Sequence, residues 1–329
     1  MAERMHRIQV GTSGWNYPRG RGKWTGIVYP PPKARGGADE LTWYAERFRT
    51  VEVNVSFYRD LDQGLTTRWA TRTPPGFEFA VKLHQQFTHP RLHAPSTPGA
   101  PVVPAGDAGA LTTAIDALAP LRQTGRLGPL LAQFPASFTA TPEALDYLSW
   151  LTGELRGLPV AVELRHRSWS DARREALAIL DAAGAAWVYI DEPKFQSSIW
   201  QAPDLMVEDL SARPWAYVRL HGRNAAQWWD HEAPEDRYNY LYANEELEPF
   251  VDIASAAEAL GRKLYLYANN HYAGNAVANA AQIRARLGDP IQAPFPRTLV
   301  EHFPQLEGVI QVAGAGPSPP LLLEETDPD

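Results

Sequence analysis

The stretch "PVAVELRHRSW", residues 159–169, opens as a short apolar run and turns charged with no turn residue in between. Successive side chains of a β-strand point to opposite faces. Val160, Val162 and Leu164 then form one apolar face, while Ala161, Glu163 and Arg165 share the other. A strand of this kind needs an apolar layer on one side and a polar interior on the other.

Seven more short runs follow the same plan, at 8–13, 50–55, 77–83, 127–134, 185–191, 215–221 and 263–270. Each is rich in β-branched, Leu or aromatic residues and is entered through Gly, Pro, Ala or a charged turn. Helical periodicity separates them, at 39–48, 65–72, 107–123, 141–155, 170–184, 244–261 and 274–288. Thr141 and Pro142 read as an N-terminal cap, and Gly184 as a helix stop. Eight strands alternating with helices over about 290 residues specify a single (β/α)8 TIM-type barrel. The alternative, a doubly wound open sheet, lacks a GxGxxG fingerprint after the first strand, where the chain reads "GTSGWNYPRGRG". The barrel is expected over about 8–288 of one domain, with 289–329 as a C-terminal extension ending in a disordered acidic tail. Loops 90–109 and 222–243 have no assigned role.

Composition narrows the function. A net charge of −7 gives no global basic field, so nucleic acid is not the favoured partner. The absence of cysteine removes disulfides, thiolate–zinc sites and a thiol nucleophile. No apolar stretch reaches the roughly 18 residues of a membrane span, so no membrane partner and a cytoplasmic location are expected.

The same alternation sends polar residues inward near the C-terminal end of nearly every strand, where barrel enzymes build their sites. These are Glu52 and Asn54, Lys82, Gln133, Glu163 and Arg165, Asp191, Arg219 and His221, then Tyr267 and Asn269. Burying such charges costs several kcal/mol each unless they pair or meet a ligand. One explanation is a polar plug of mutual salt bridges. The other is a site, with Glu163, His221, Glu52 and His166 as catalytic candidates. Lys82, Arg165 and Arg219 would cradle a small anionic ligand. Gln133, Asn54, Asn269, Asn270 and His271 would hydrogen-bond it, and Tyr58, Trp15 and Trp169 would stack on it.

The segments "GTSGW" (11–15), "VNVSFYR" (53–59), "TPPGFEFAVK" (73–82), "RLGPLLAQFP" (126–135), "VAVELRHRSW" (160–169), "YVRLHGR" (217–223) and "YANNHYAGNAVANA" (267–280) resemble, in order, the motifs of domain of unknown function 72, the YecE-like proteins. The resemblance implies a TIM-type barrel and no particular activity. The chain departs from that pattern at Asn54-Val55-Ser56, Ala268 and Val277. The function expected is an enzyme of hydrolase or lyase type, acting on a small anionic or sugar-phosphate-like substrate by acid–base chemistry without a cofactor. The alternatives are a metal-dependent phosphodiester or nucleic-acid enzyme of endonuclease-IV type and a non-catalytic anion-binding protein. No close-spaced ligand motif such as HExxH supports a metal.

Overall fold

The computed structural model describes residues 7–30, 39–93 and 103–314. Eight parallel strands close on themselves in chain order. They are β1 (Ile8–Ser13), β2 (Thr50–Val53), β3 (Glu78–Lys82), β4 (Leu127–Gln133), β5 (Val160–Glu163), β6 (Ala186–Asp191), β7 (Trp215–Leu220) and β8 (Lys263–Ala268). One principal helix follows each strand: α1 (Glu40–Ala45), α2 (Gln63–Thr71), α3 (Ala108–Asp116), α4 (Pro142–Glu154), α5 (Arg173–Ala183), α6 (Pro203–Ala212), α7 (Asn244–Ala259) and α8 (Asn275–Arg286). The (β/α)8 barrel expected from the strand pattern is the fold.

Local chemistry sets where the helices begin and end. Asp39, Asp62, Asp107 and Thr141 each accept a hydrogen bond from a first-turn amide of α1 to α4. Gly184 ends α5 in the left-handed conformation, at φ 70°. The run 107–123 is two helices, because the chain breaks at Ala117–Leu118 and restarts with Pro120 in the first turn of 119–123. The sequence pattern did not mark α6.

Strand alternation holds except at two places. The tyrosine hydroxyl of Tyr189 donates to the Leu205 carbonyl and to Asp209 of α6, so Tyr189 and Asp191 face outward. Asp191 accordingly pairs with Arg223 at 2.8 Å and accepts from Tyr242, and Glu192 takes the inward place expected of Asp191. Val55, expected at the end of a strand, instead opens a short helix, 55–58, after Asn54. The segment after α8 packs against the barrel through Ile291, Phe295, Leu299, Phe303, Leu306 and Ile310, all buried. The acidic tail beyond 314 and the centre of loop 90–109, at 94–102, lie outside the described residues.

The barrel's N-terminal end is closed by Glu78, which accepts from Lys263 Nζ at 2.5 Å and from the Tyr265 hydroxyl. Above it, Gly11 lets β1 approach β2. A Cβ there would lie 2.4 Å from the Thr50 carbonyl oxygen, a backbone atom held in the sheet. Gly11→Ala is expected to destabilise the fold by about 1–3 kcal/mol through overpacking, read as a lower urea midpoint with an unchanged m-value.

Candidate functional site

Ser13, Glu52, Lys82, Gln133, Glu163, Arg219 and Asn269 meet at the C-terminal mouth because each occupies the inward phase at or just past the end of its strand. The register places Ser13 beside Glu52, and Gln133 beside Glu163. Arg219 lies between Ile190 and Tyr267 on its neighbouring strands. Its guanidinium is buried and bridges two carboxylates, with Nη1 at 2.5 Å from Glu163 Oε2 and Nη2 at 2.6 Å from Glu52 Oε1. Glu52 accepts two further hydrogen bonds, from Ser13 Oγ at 2.6 Å and the Tyr217 hydroxyl at 2.7 Å. Arg165 Nε donates to Glu163 Oε1 at 2.6 Å.

This network fixes the protonation of its members. Burial would raise the Glu163 carboxyl, but Arg219 and Arg165 overcome it and hold the group well below the usual carboxylate range. Burial lowers His221 to about 3 against the pull of Glu163, so its imidazole is neutral. Its Nε2 faces Arg165 Nη2 at 3.2 Å and its Nδ1 faces Asn269 Nδ2 at 2.8 Å. Burial raises Glu192, whose Oε2 lies 3.6 Å from Arg165 Nη1 and has no hydrogen-bond partner.

Lys82 differs from the two arginines. Among the described residues its ammonium has no carboxylate partner, and Nζ lies 3.8 Å from the centroid of the Phe57 ring. Burial, aided by Arg219, lowers it to about 7. His89 joins this side of the mouth, with Nδ1 2.8 Å from Thr88 Oγ1. Burial with the charge of Lys82 lowers it to about 3. A second wall is aromatic: Tyr17 stacks on His271 at 3.9 Å and Tyr238 tilts against the same imidazole at 4.6 Å. Tyr58 stands 72% exposed on the rim, within electrostatic reach of Tyr238 and Arg237. Asn54 points a buried, unpartnered Oδ1 at this region.

Other expected site residues serve the scaffold. Trp169 is fully buried, donates to the Phe138 carbonyl and stacks on Phe138 at 5.3 Å, so it has no free face for a ligand. Trp15 packs edge-on against Trp69 of α2. His166 caps the short helix 167–171 by accepting from the Ser168 amide. Asn270 donates to the Tyr240 carbonyl and to Asn279 of α8, away from the barrel axis. Arg219, expected to grip a ligand, has both terminal nitrogens engaged by protein carboxylates.

The sequence reading missed Ser13, Tyr217, Glu192, His89, Tyr17 and Tyr238. Ser13 and Tyr217 were within reach of strict alternation, since Tyr217 lies two residues before Arg219. Glu192 required the correct phase of β6. His89 stands seven residues beyond β3, after a 3-10 turn at Gln85–Phe87, where no periodicity points to it.

Among the described residues no three His, Asp or Glu side chains are grouped to hold a metal ion. Glu52 and Glu163, the carboxylates a metal would draw on, already have all four oxygens hydrogen-bonded. No helix among the described residues is long and apolar enough to cross a membrane.

The fold and mouth define a (β/α)8 barrel with an Arg–Glu cluster at its C-terminal end and, among the described residues, no carboxylate paired with Lys82. Residues 9–301 match the family model described as protein of unknown function DUF72, and the chain belongs to that family. It is 27% identical to the UPF0759 protein YunF of Bacillus subtilis (strain 168), over 89% of this chain and 99% of the relative. The crystal structure of a DUF72 family protein from Thermotoga maritima MSB8 is 31% identical, with a TM-score of 0.67, over 86% of this chain and all of the other. A DUF72 family protein from Enterococcus faecalis V583 shares the fold at 22% identity and a TM-score of 0.69, over 85% of this chain and 95% of its own.

Arg219→Met should leave two carboxylates buried without their shared cation and destabilise the protein by about 3–5 kcal/mol at neutral pH. Arg219→Met with Glu163→Gln should recover part of that loss. Equal melting temperatures for single and double variants would contradict the geometry.

The lowered groups also set a pH dependence. Between about 3 and 6.5 the unfolded chain binds protons that folded His89, His221 and His271 do not, so stability rises with pH there. Lys82 acts with the same sign between about 7 and its ordinary value of 10.5. The urea midpoint should therefore climb from pH 5 past pH 8, and Lys82→Met should flatten the arm above 7.

Proposed function

We propose that the barrel mouth binds a small anionic, sugar-phosphate-like substrate and transforms it by acid–base chemistry. The observation that carries this reading is Lys82. Arg219 and Arg165 are committed to Glu52, Glu163 and Glu192, and Lys82 is a further cation at the mouth without a carboxylate of its own among the described residues. A bound anion would supply the missing partner.

The other groups at the mouth support this reading. The Gln133 amide and Asn54 Oδ1 offer hydrogen bonds to a polar substrate. Glu192, raised by burial, is suited to donate a proton. Lys82, lowered to about 7, is suited to accept one near neutral pH. Glu163, held ionised with both oxygens engaged, suits a framing role, and neutral His221 positions Arg165. The acid–base work expected of Glu163 and His221 thus moves to Glu192 and Lys82.

Phosphate, sulfate or a small carboxylate should raise the melting temperature, with about 2.7 kcal/mol gained at 100 times the dissociation constant. Lys82→Met should remove most of that gain while folding normally. If all three anions leave the native protein's melting temperature unmoved, the mouth is a closed polar plug and this reading fails.

A further inference from the structure

We infer that the ε-amine of Lys82 is a nucleophile that captures the carbonyl carbon of its substrate as a covalent imine. The inference rests on the anionic-substrate reading and narrows the substrate to a small anionic aldehyde or ketone, such as a 2-oxo acid or an open-chain sugar phosphate.

Imine formation asks three things of a lysine: an amine free of any carboxylate, a path to the substrate, and a neighbourhood that tolerates the cation formed. Lys82 meets the first because the nearby carboxylates are taken. Glu52 from β2 is held by Arg219, Ser13 and Tyr217, and Glu163 from β5 by Arg219 and Arg165. Its remaining charged or titratable neighbours are Arg219 from β7, Arg165 beyond β5 and His89 beyond β3. It meets the second because it is only partly buried, at the C-terminal end of β3. It meets the third through the Phe57 face, 3.8 Å from Nζ, and the fields of Glu163 and Glu52, which offset part of the burial and Arg219 charge that disfavour a cation there.

The other described lysines are placed differently. Lys263 is pinned to Glu78 at 2.5 Å at the opposite end of the barrel. Lys194 Nζ reaches the Ile190 carbonyl at 3.4 Å. Lys23 lies outside the mouth network.

The step balances without an added reagent. The ammonium releases a proton, and the amine lone pair forms a C–N bond as the carbonyl π pair moves to oxygen. That oxygen takes one proton from nitrogen and one equal to that first released, and departs as water as its C–O bond breaks. The product is an iminium that carries the single positive charge of the starting ammonium. An iminium withdraws electrons from the adjacent carbon, which assigns the protein to lyase-type rather than hydrolytic chemistry. Arg165, 18% exposed, remains to face the substrate's anionic group.

The test uses the native protein with pyruvate, glyoxylate or glycolaldehyde phosphate in the presence of sodium cyanoborohydride, which reduces an iminium to a stable secondary amine. Intact mass and peptide mapping then locate the label among Lys23, Lys33, Lys82, Lys194 and Lys263. Burial lowers Lys82 toward neutrality, so at pH 7 its unprotonated fraction exceeds that of an ordinary exposed lysine. Labelling should therefore favour Lys82 by at least about tenfold and slow as pH falls below 7. Label spread evenly over the lysines, or absent from Lys82, overturns the inference. Phosphate stabilisation measured on the same preparation separates the two readings. A melting shift without trapping at Lys82 leaves the anion site standing and removes the imine, whereas neither signal removes both. Lys82→Arg, which keeps the charge but forms no stable imine, should retain the phosphate shift and lose the label. If that variant does not fold, mapping on the native protein still decides.

Discussion

One guanidinium holds the mouth of this barrel together. Arg219 reaches from β7 to Glu52 on β2 and Glu163 on β5, so a single side chain ties three non-adjacent strands across the barrel axis. Taking three charges out of water is expensive, and their mutual attraction offsets that cost only where the geometry is close and the remaining lone pairs are satisfied. Both conditions hold. The contacts are 2.5 and 2.6 Å, and Ser13 and Tyr217 complete the acceptors of Glu52. Only Arg219 Nε is left without a partner.

The neighbouring residues follow from that bridge. Glu163 has one oxygen left for Arg165, and Arg165 in turn lies against His221. An imidazole buried beside two guanidinium groups stays neutral. Lys82 shares the same positive field but none of the carboxylates. Burial first and the Arg219 charge second lower its ammonium, while Glu52, Glu163 and Glu192 lie against the arginines.

The barrel was legible in the sequence because period-two alternation leaves a distinct mark in strands apolar on one face and polar on the other. Glu52, Lys82, Gln133, Glu163, Arg219 and Asn269 reach the mouth for that reason. Alternation gives a direction but not a partner, so it could not tell that Arg219 is occupied and Lys82 is not. It also fails where a strand's phase is ambiguous. Trp187, Tyr189 and Asp191 in β6 are as bulky as inward residues, yet Tyr189 bonds to α6, and Glu192 lies inside. Beyond strand ends it gives nothing. Asn270 and His166 follow strands closely but are committed to a helix contact and a helix cap, while His89 enters the mouth from a turn.

The two ends of the barrel use similar chemistry to different effect. At the N-terminal end, one carboxylate, Glu78, takes both a lysine and a tyrosine, and the Gln9 amide lies 3.4 Å away. Each donor there has a protein acceptor, so the cluster closes the barrel. At the C-terminal end Glu52 and Glu163 are equally engaged, but among the described residues Lys82 has no carboxylate partner, and a buried Glu192 oxygen and Asn54 oxygen remain without hydrogen-bond partners. Buried polar groups without partners are costly, and here they gather at one end of the barrel. The base of the barrel is thus saturated internally while its mouth keeps unmet polar groups, in keeping with the division of barrel proteins into a stabilising base and a variable mouth.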